Sequence, residues 1–217
     1  MTVANSERPF VVESLKTASL RSSLPFLALL YSMFFLSKEE QFTLIPAALL
    51  STFYVGDLFF RKRDTGLRSI PFIKIFLIAF VWTVVTVWFP LTMSYDHPSL
   101  EYIVVSFERF FFIMAITIPF DIRDLGIDSK GLRTIPQILG EKKAKWLSIF
   151  FLLGAATFSG VLFYLKIYGI QLTIGAVLFY ILTLILIAGS GKGKSDYYYS
   201  FWIEGTMLAW GALLLFY

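Results

Sequence analysis

Three aspartates, Asp121, Asp124 and Asp128, stand at spacing i, i+3, i+7 in the stretch FDIRDLGIDSKGLRTIPQILG, residues 120–140. On a helix they fall within roughly 60° of one another. Like charges on one face repel, so the cluster needs bulk water or a cation. Two readings of the residues stay open. In one, the stretch is a solvated loop whose acids balance Arg123, Lys130 and Arg133. In the other, Asp121, Asp124 and Asp128 hold Mg²⁺ for a diphosphate. Mg²⁺ favours carboxylate oxygen and keeps several waters, so one or two aspartates plus substrate phosphate oxygens suffice. Arg123, Lys130 and Arg133 are then the diphosphate-binding cations, the arginines by bidentate contact.

The elements around the cluster belong to a membrane. The chain has 217 residues, of which 57% are hydrophobic and 16% charged, and its mean hydropathy is +0.73. A soluble domain carries about 25% charged residues. The composition predicts an all-α integral membrane protein embedded in the lipid bilayer. Cysteine is absent, which excludes disulfides and thiolate metal sites, and the single histidine, His97, excludes a His-rich centre. The net charge of +4 is explained below by its placement, and no nucleic-acid partner is expected. No cleavable signal peptide is expected in the first twenty residues.

Residues 1–21 read as a polar cytoplasmic arm and 22–217 as a single transmembrane helical domain. Seven spans are predicted, over Leu24–Leu36 with its flanking serines, Phe42–Phe60, Ile75–Leu91 (stopped near Pro90), Tyr102–Phe120, Trp146–Leu165, Leu172–Ala188 and Tyr199–Tyr217. With the N-terminus inside, sixteen of the nineteen lysines and arginines fall on the cytoplasmic side. That orientation makes the Asp-rich stretch cytoplasmic and puts the C-terminus outside, in a multi-pass protein of a bacterial-type inner membrane.

Intramembrane charge is the second place to look for chemistry. Glu108 and Arg109 lie inside the predicted fourth span. Neighbours on a helix point about 100° apart, so they do not pair directly. Either each pairs with a neighbouring helix, Glu204 meeting Arg109, or the two line a cavity. Asp57 and Arg61-Lys62-Arg63 are accounted for as span-end charges that anchor to lipid. Phe110-Phe111-Phe112 and Tyr197-Tyr198-Tyr199 read as packing or interface residues. A small transporter built on Glu108, Arg109 and Glu204 is disfavoured, because so few charges make no polar track.

The stretch 120–140 resembles the second Asp-rich motif of the UbiA superfamily of membrane prenyltransferases. Asp124 and Asp128 match that family's DxxxD pair, and Asp121 stands where members often have Asn. Gly131, Arg133, Thr134, Pro136 and Gly140 match the tail, with one residue fewer after Asp128. The match covers about a tenth of the chain. The resemblance implies a UbiA-like helical bundle around a lipid-lined cavity, with Mg²⁺ and a polyprenyl diphosphate at its cytoplasmic mouth. It implies catalytic roles for Asp124 and Asp128 in transferring the prenyl group to an aromatic, quinone-precursor or other lipid acceptor. The family's first motif, NxxxDxxxD, is not found: Asp57 and Asp64 are seven apart, with Phe53 and Arg61 at the other positions. A seven-span chain is then expected to lack the family's two N-terminal helices. The alternative expectation is a non-catalytic membrane protein that binds an isoprenoid lipid or a partner.

Overall fold

The computed structural model describes residues 31–59, 72–94, 100–127 and 133–215, and among these it is helical with no strand. The chain divides into two compact units, Met1–Phe42 and Thr43–Tyr217. In the first, a capping box starts helix α1 (Lys38–Phe59). The Ser37 N–H donates to Glu40 Oε2 at 2.8 Å, and the Glu40 N–H donates to Ser37 Oγ at 3.3 Å. Gln41 closes the preceding turn, its Nε2 donating to the carbonyls of Met33 and Leu36.

The second unit is a bundle organised around α3 (Leu100–Arg123), which runs on through a tight turn at Asp124–Gly126. Ile113, Met114, Ala115, Ile118 and Ile122 are essentially buried. α5 (Glu141–Tyr164) lies antiparallel along α3. Its face toward the core carries small residues, Ala144, Ser148, Ala155 and Ser159, all buried. Small residues let two backbones approach closely where lipid gives no hydrophobic drive between helices. A Cβ at Gly154 would meet the Phe111 ring at 3.0 Å, so the approach is tight there.

α2 (Ile73–Thr83, continued through Val84–Trp88 and Phe89–Ser94) packs on the other side of α3. The sequence predicts a stop near Pro90, but the helix passes it. Proline lacks the N–H that would bond four residues back. A π turn over Val84–Trp88 absorbs the defect, with the Phe89 N–H reaching the Val84 carbonyl. Tyr102 ties the start of α3 to the end of α2 by donating to the Leu91 carbonyl at 2.8 Å. α4 (Ile135–Leu139) is a short helix packed on α5 and α3. α6 (Ile170–Gly189) packs on α5, and α7 (a π turn over Tyr198–Ile203 continued by Glu204–Leu215) packs on α6.

Among the described residues four segments are long and apolar enough to cross a membrane: Ile73–Met93, Leu100–Gly126, Glu141–Tyr164 and Ile170–Gly189. The described residues therefore form a helical protein fitted to a bilayer. α1 and α7 are also helical where the sequence predicts spans. The predicted span Leu24–Leu36 begins outside the described residues.

Candidate functional site

The last turns of α3 carry the Asp-rich stretch. It begins as helix, not as a loop: Asp121 lies within α3 and Asp124 in the turn that ends it. Asp121 is 2% exposed and takes Lys74 Nζ, from the first turn of α2, at 2.6 Å. Asp124 takes Arg123 in a two-pronged contact, Nε on Oδ1 at 2.7 Å and Nη2 on Oδ2 at 3.1 Å. The same guanidinium lies over the Phe120 ring at 5.3 Å and the Tyr199 ring at 5.6 Å, and Asp196 stands 4.0 Å from it.

Tyr199 anchors the opposite wall. It accepts the Gly191 N–H at 2.9 Å and donates to the Gly191 carbonyl at 2.8 Å, clamping the turn between α6 and α7. A Cβ on Gly191 would lie 3.2 Å from Glu141 Oε1 and 3.6 Å from Lys145 Nζ, which themselves pair at 3.3 Å. One end of the bundle thus collects the first turns of α2 and α5, the end of α3 and the α6–α7 turn, with charge of both signs.

Of the residues that the sequence singles out, Asp121, Asp124 and Arg123 are brought to this end. Asp128 and Lys130 lie outside the described residues, as do His97, Asp64 and Arg61-Lys62-Arg63; Asp57 lies in α1, on a stretch whose side chains are outside the described set. Arg133 is exposed, with φ 47°, just before α4. Thr134 caps α4, its N–H donating to Gln137 Oε1 at 3.2 Å. Its Oγ1 is buried and has no hydrogen-bond partner among the described residues.

The donor chemistry suits Mg²⁺, because carboxylate oxygen is its preferred ligand. Each described aspartate already holds a basic side chain, so a metal here displaces Lys74 or Arg123 from it. Among the described residues no three Asp, Glu or His side chains form a group that would hold a metal.

Glu108 and Arg109 form a separate centre in the first half of α3. Both oxygens of Glu108 are used: Oε1 accepts from Ser159 Oγ at 2.6 Å and from the Tyr180 hydroxyl at 2.8 Å, and Oε2 accepts from the Tyr168 hydroxyl at 2.8 Å. α5, the α5–α6 link and α6 therefore converge on one buried acid. Burial, and then Glu108 itself, push the Tyr168 hydroxyl up, which keeps it a donor. Sequence reasoning finds the acid but not its three donors, since hydroxyls on apolar helices are common and carry no spacing signal. Of the two readings of Arg109, pairing with Glu204 is not seen among the described residues. Its guanidinium lies 5.6 Å from the Trp210 ring centroid, and Glu204 is exposed. Arg109 and Glu204 both line one cavity of about 700 Å³, while Glu108 is turned toward Ser159, Tyr168 and Tyr180.

No protein-family model, no curated protein and no solved structure matches the chain. The class rests on the fold alone: among the described residues, a helical bundle with four helices fit to cross a membrane and two polar centres, one at its charged end and one in the first half of α3.

Proposed function

We propose that the chain is a UbiA-like membrane protein that binds a polyprenyl diphosphate with Mg²⁺ at the charged end of the bundle and transfers the prenyl group to a lipid-soluble acceptor. One observation carries this reading. The stretch with the UbiA-like pattern closes α3 where basic side chains from α2 and α3 gather around its aspartates. Mg²⁺, when bound, neutralises charge on the leaving diphosphate. Arg123 presents to Asp124 the fork that fits a phosphate equally well. Lys74 supplies a second cation beside Asp121. Under this reading the protein has seven spans with the Asp-rich end cytoplasmic.

The test is transfer of a labelled prenyl group from geranylgeranyl diphosphate in membranes carrying the chain. Asp124→Asn and Asp128→Asn are each expected to lower Mg²⁺-dependent transfer by at least a hundredfold, the scale set by losing charge stabilisation at a leaving group. Unchanged transfer in both variants removes the assigned roles.

The pairing of Asp121 with Lys74 and of Asp124 with Arg123 favours a second reading, a non-catalytic protein that binds an isoprenoid lipid. Its outcome is saturable binding of the diphosphate without any transfer and without a need for Mg²⁺.

A further inference from the structure

The groove lined by Arg109 has its floor on α3 and α6 and its walls on α2 and α7. Its volume of about 700 Å³ lies in the range of sites that hold small organic molecules. Three features single it out. Arg109 is 7% exposed, and its Nε is buried with no hydrogen-bond partner among the described residues. A guanidinium is a planar fork of five N–H donors, and a buried donor without an acceptor is costly. Both walls carry a π turn, at Val84–Trp88 in α2 and at Tyr198–Ile203 in α7, and such turns gather at functional sites. The walls are aromatic where they face the opening: Trp82, Phe201 and Trp202 are each more than two-fifths exposed.

Charge decides what kind of molecule fits. The residue before Arg109 is Glu108, so the formal charge of the guanidinium is already balanced within α3. Glu108 cannot serve as its hydrogen-bond acceptor as well, because both of its oxygens are occupied by hydroxyls. Glu204 lines the same groove. An incoming carboxylate would add a second or third negative charge to one positive one, in a region of low dielectric. What Arg109 lacks is an acceptor, not a counter-charge. Trp210 lies beside the guanidinium, and Arg109 lines the groove.

We propose that the groove between α2 and α7 binds a neutral, membrane-soluble aromatic carbonyl compound, its oxygen accepting from Arg109 and its ring lying among Trp82, Phe201 and Trp202. Such a molecule enters sideways from the hydrocarbon without shedding a hydration shell. The site is distinct from the diphosphate end: Arg109 and Asp121 are separated by roughly 18 Å of helix. It does not rest on the prenyl-transfer reading, and its test uses neither Mg²⁺ nor a diphosphate.

The experiment takes the full chain purified in detergent and the probe prodan, a neutral naphthyl ketone. Energy transfer from the groove tryptophans reports its binding. Saturable transfer is expected, displaced by acetonaphthone roughly tenfold better than by ethylnaphthalene or by naphthoate, the margin of one hydrogen bond to a charged donor. Arg109→Gln and Arg109→Lys are expected to weaken prodan by about tenfold or more. Gly205→Phe tests the place independently of Arg109, since a Cβ at Gly205 meets open space and the ring fills the groove. This variant is expected to abolish saturable transfer while its melting temperature holds. Displacement by ethylnaphthalene as good as by the ketone means apolar partition only and overturns the proposal. So does preferential displacement by naphthoate, or unaltered binding in Gly205→Phe.

Discussion

At the scale of single residues, a buried hydroxyl finishes a hydrogen-bond ladder that a proline breaks. Pro119 lies inside α3 and has no N–H to give to the carbonyl of Ala115. Ser148 of α5 fills that gap, its Oγ donating to the Ala115 carbonyl at 2.6 Å from a fully buried position. In a membrane interior a freed carbonyl must be met by protein. Ser148→Ala is therefore expected to destabilise the bundle by about 1–3 kcal/mol, the cost of an unsatisfied buried acceptor. Pro119→Ala restores the missing N–H, so the double variant is expected to lose much less than Ser148→Ala alone. Thermal unfolding of the four proteins of this cycle in detergent checks it, and strict additivity would refute the pairing.

Glu108 makes the same argument with the opposite sign, as one acceptor serving three donors. Glu108→Ala leaves the hydroxyls of Ser159, Tyr168 and Tyr180 without it in a dry interior. The expected loss is about 3–5 kcal/mol, the scale for removing one member of a buried charged network. Glu108→Gln keeps one acceptor oxygen and is expected to cost less than half as much. Equal melting temperatures for the two variants would show that the hydroxyls find other partners. Little of this is legible in the sequence. A lone acid in an apolar run announces that it has partners, but Ser159, Tyr168 and Tyr180 lie 51 to 72 residues away, and only the packing of α5 and α6 brings them in.

At the scale of elements, apolar runs locate helices well and locate their ends poorly. The predicted span Trp146–Leu165 is α5, Glu141–Tyr164, because the polar turn Glu141–Lys145 is itself helical and closes an i, i+4 pair. Pro90 misleads in the same way: the rule that proline ends a helix holds for the α ladder, and the π turn offers another ladder. The Asp-rich stretch reads as a unit in sequence and is divided in the structure among the end of α3, a tight turn and α4. Spacing on one face therefore places Asp121 and Asp124 near one another without making them share a ligand, since each finds its own cation first. The α3–α5 seam has an element-scale consequence. Gly154 lies against Phe111, and a Cβ there would come within 3.0 Å of the ring. Gly154→Ala is expected to be nearly neutral, the ring shifting by a few tenths of an ångström. Gly154→Leu is expected to lose about 1–3 kcal/mol through overpacking. A Leu variant as stable as the parent in a thermal melt would mean that the two helices separate at low cost.

At the scale of the molecule, a few contacts show which helix ends lie together. Lys74 reaches Asp121, Gly191 abuts Glu141 and Lys145, and Arg123 lies over Tyr199. α2, α5 and α7 therefore start, and α3 and α6 finish, at one end, where Lys142, Lys143, Lys192 and Lys194 also lie in sequence. At the far end Lys166 stands in the link between α5 and α6. From the charge rule for membrane proteins we propose that the lysine-rich end faces the cytoplasm. The chain has no cysteine, so single cysteines report sidedness without a background. Lys192→Cys is expected to react with a membrane-impermeant maleimide only after the membrane is opened, and Lys166→Cys is expected to react in intact cells. The reverse pattern would turn the bundle over and put the Asp-rich end outside. Labelling of both positions from one side would mean that α6 does not cross the membrane. The experiment separates orientation from fold, because only the fold is fixed by the contacts of Glu108 and Ser148.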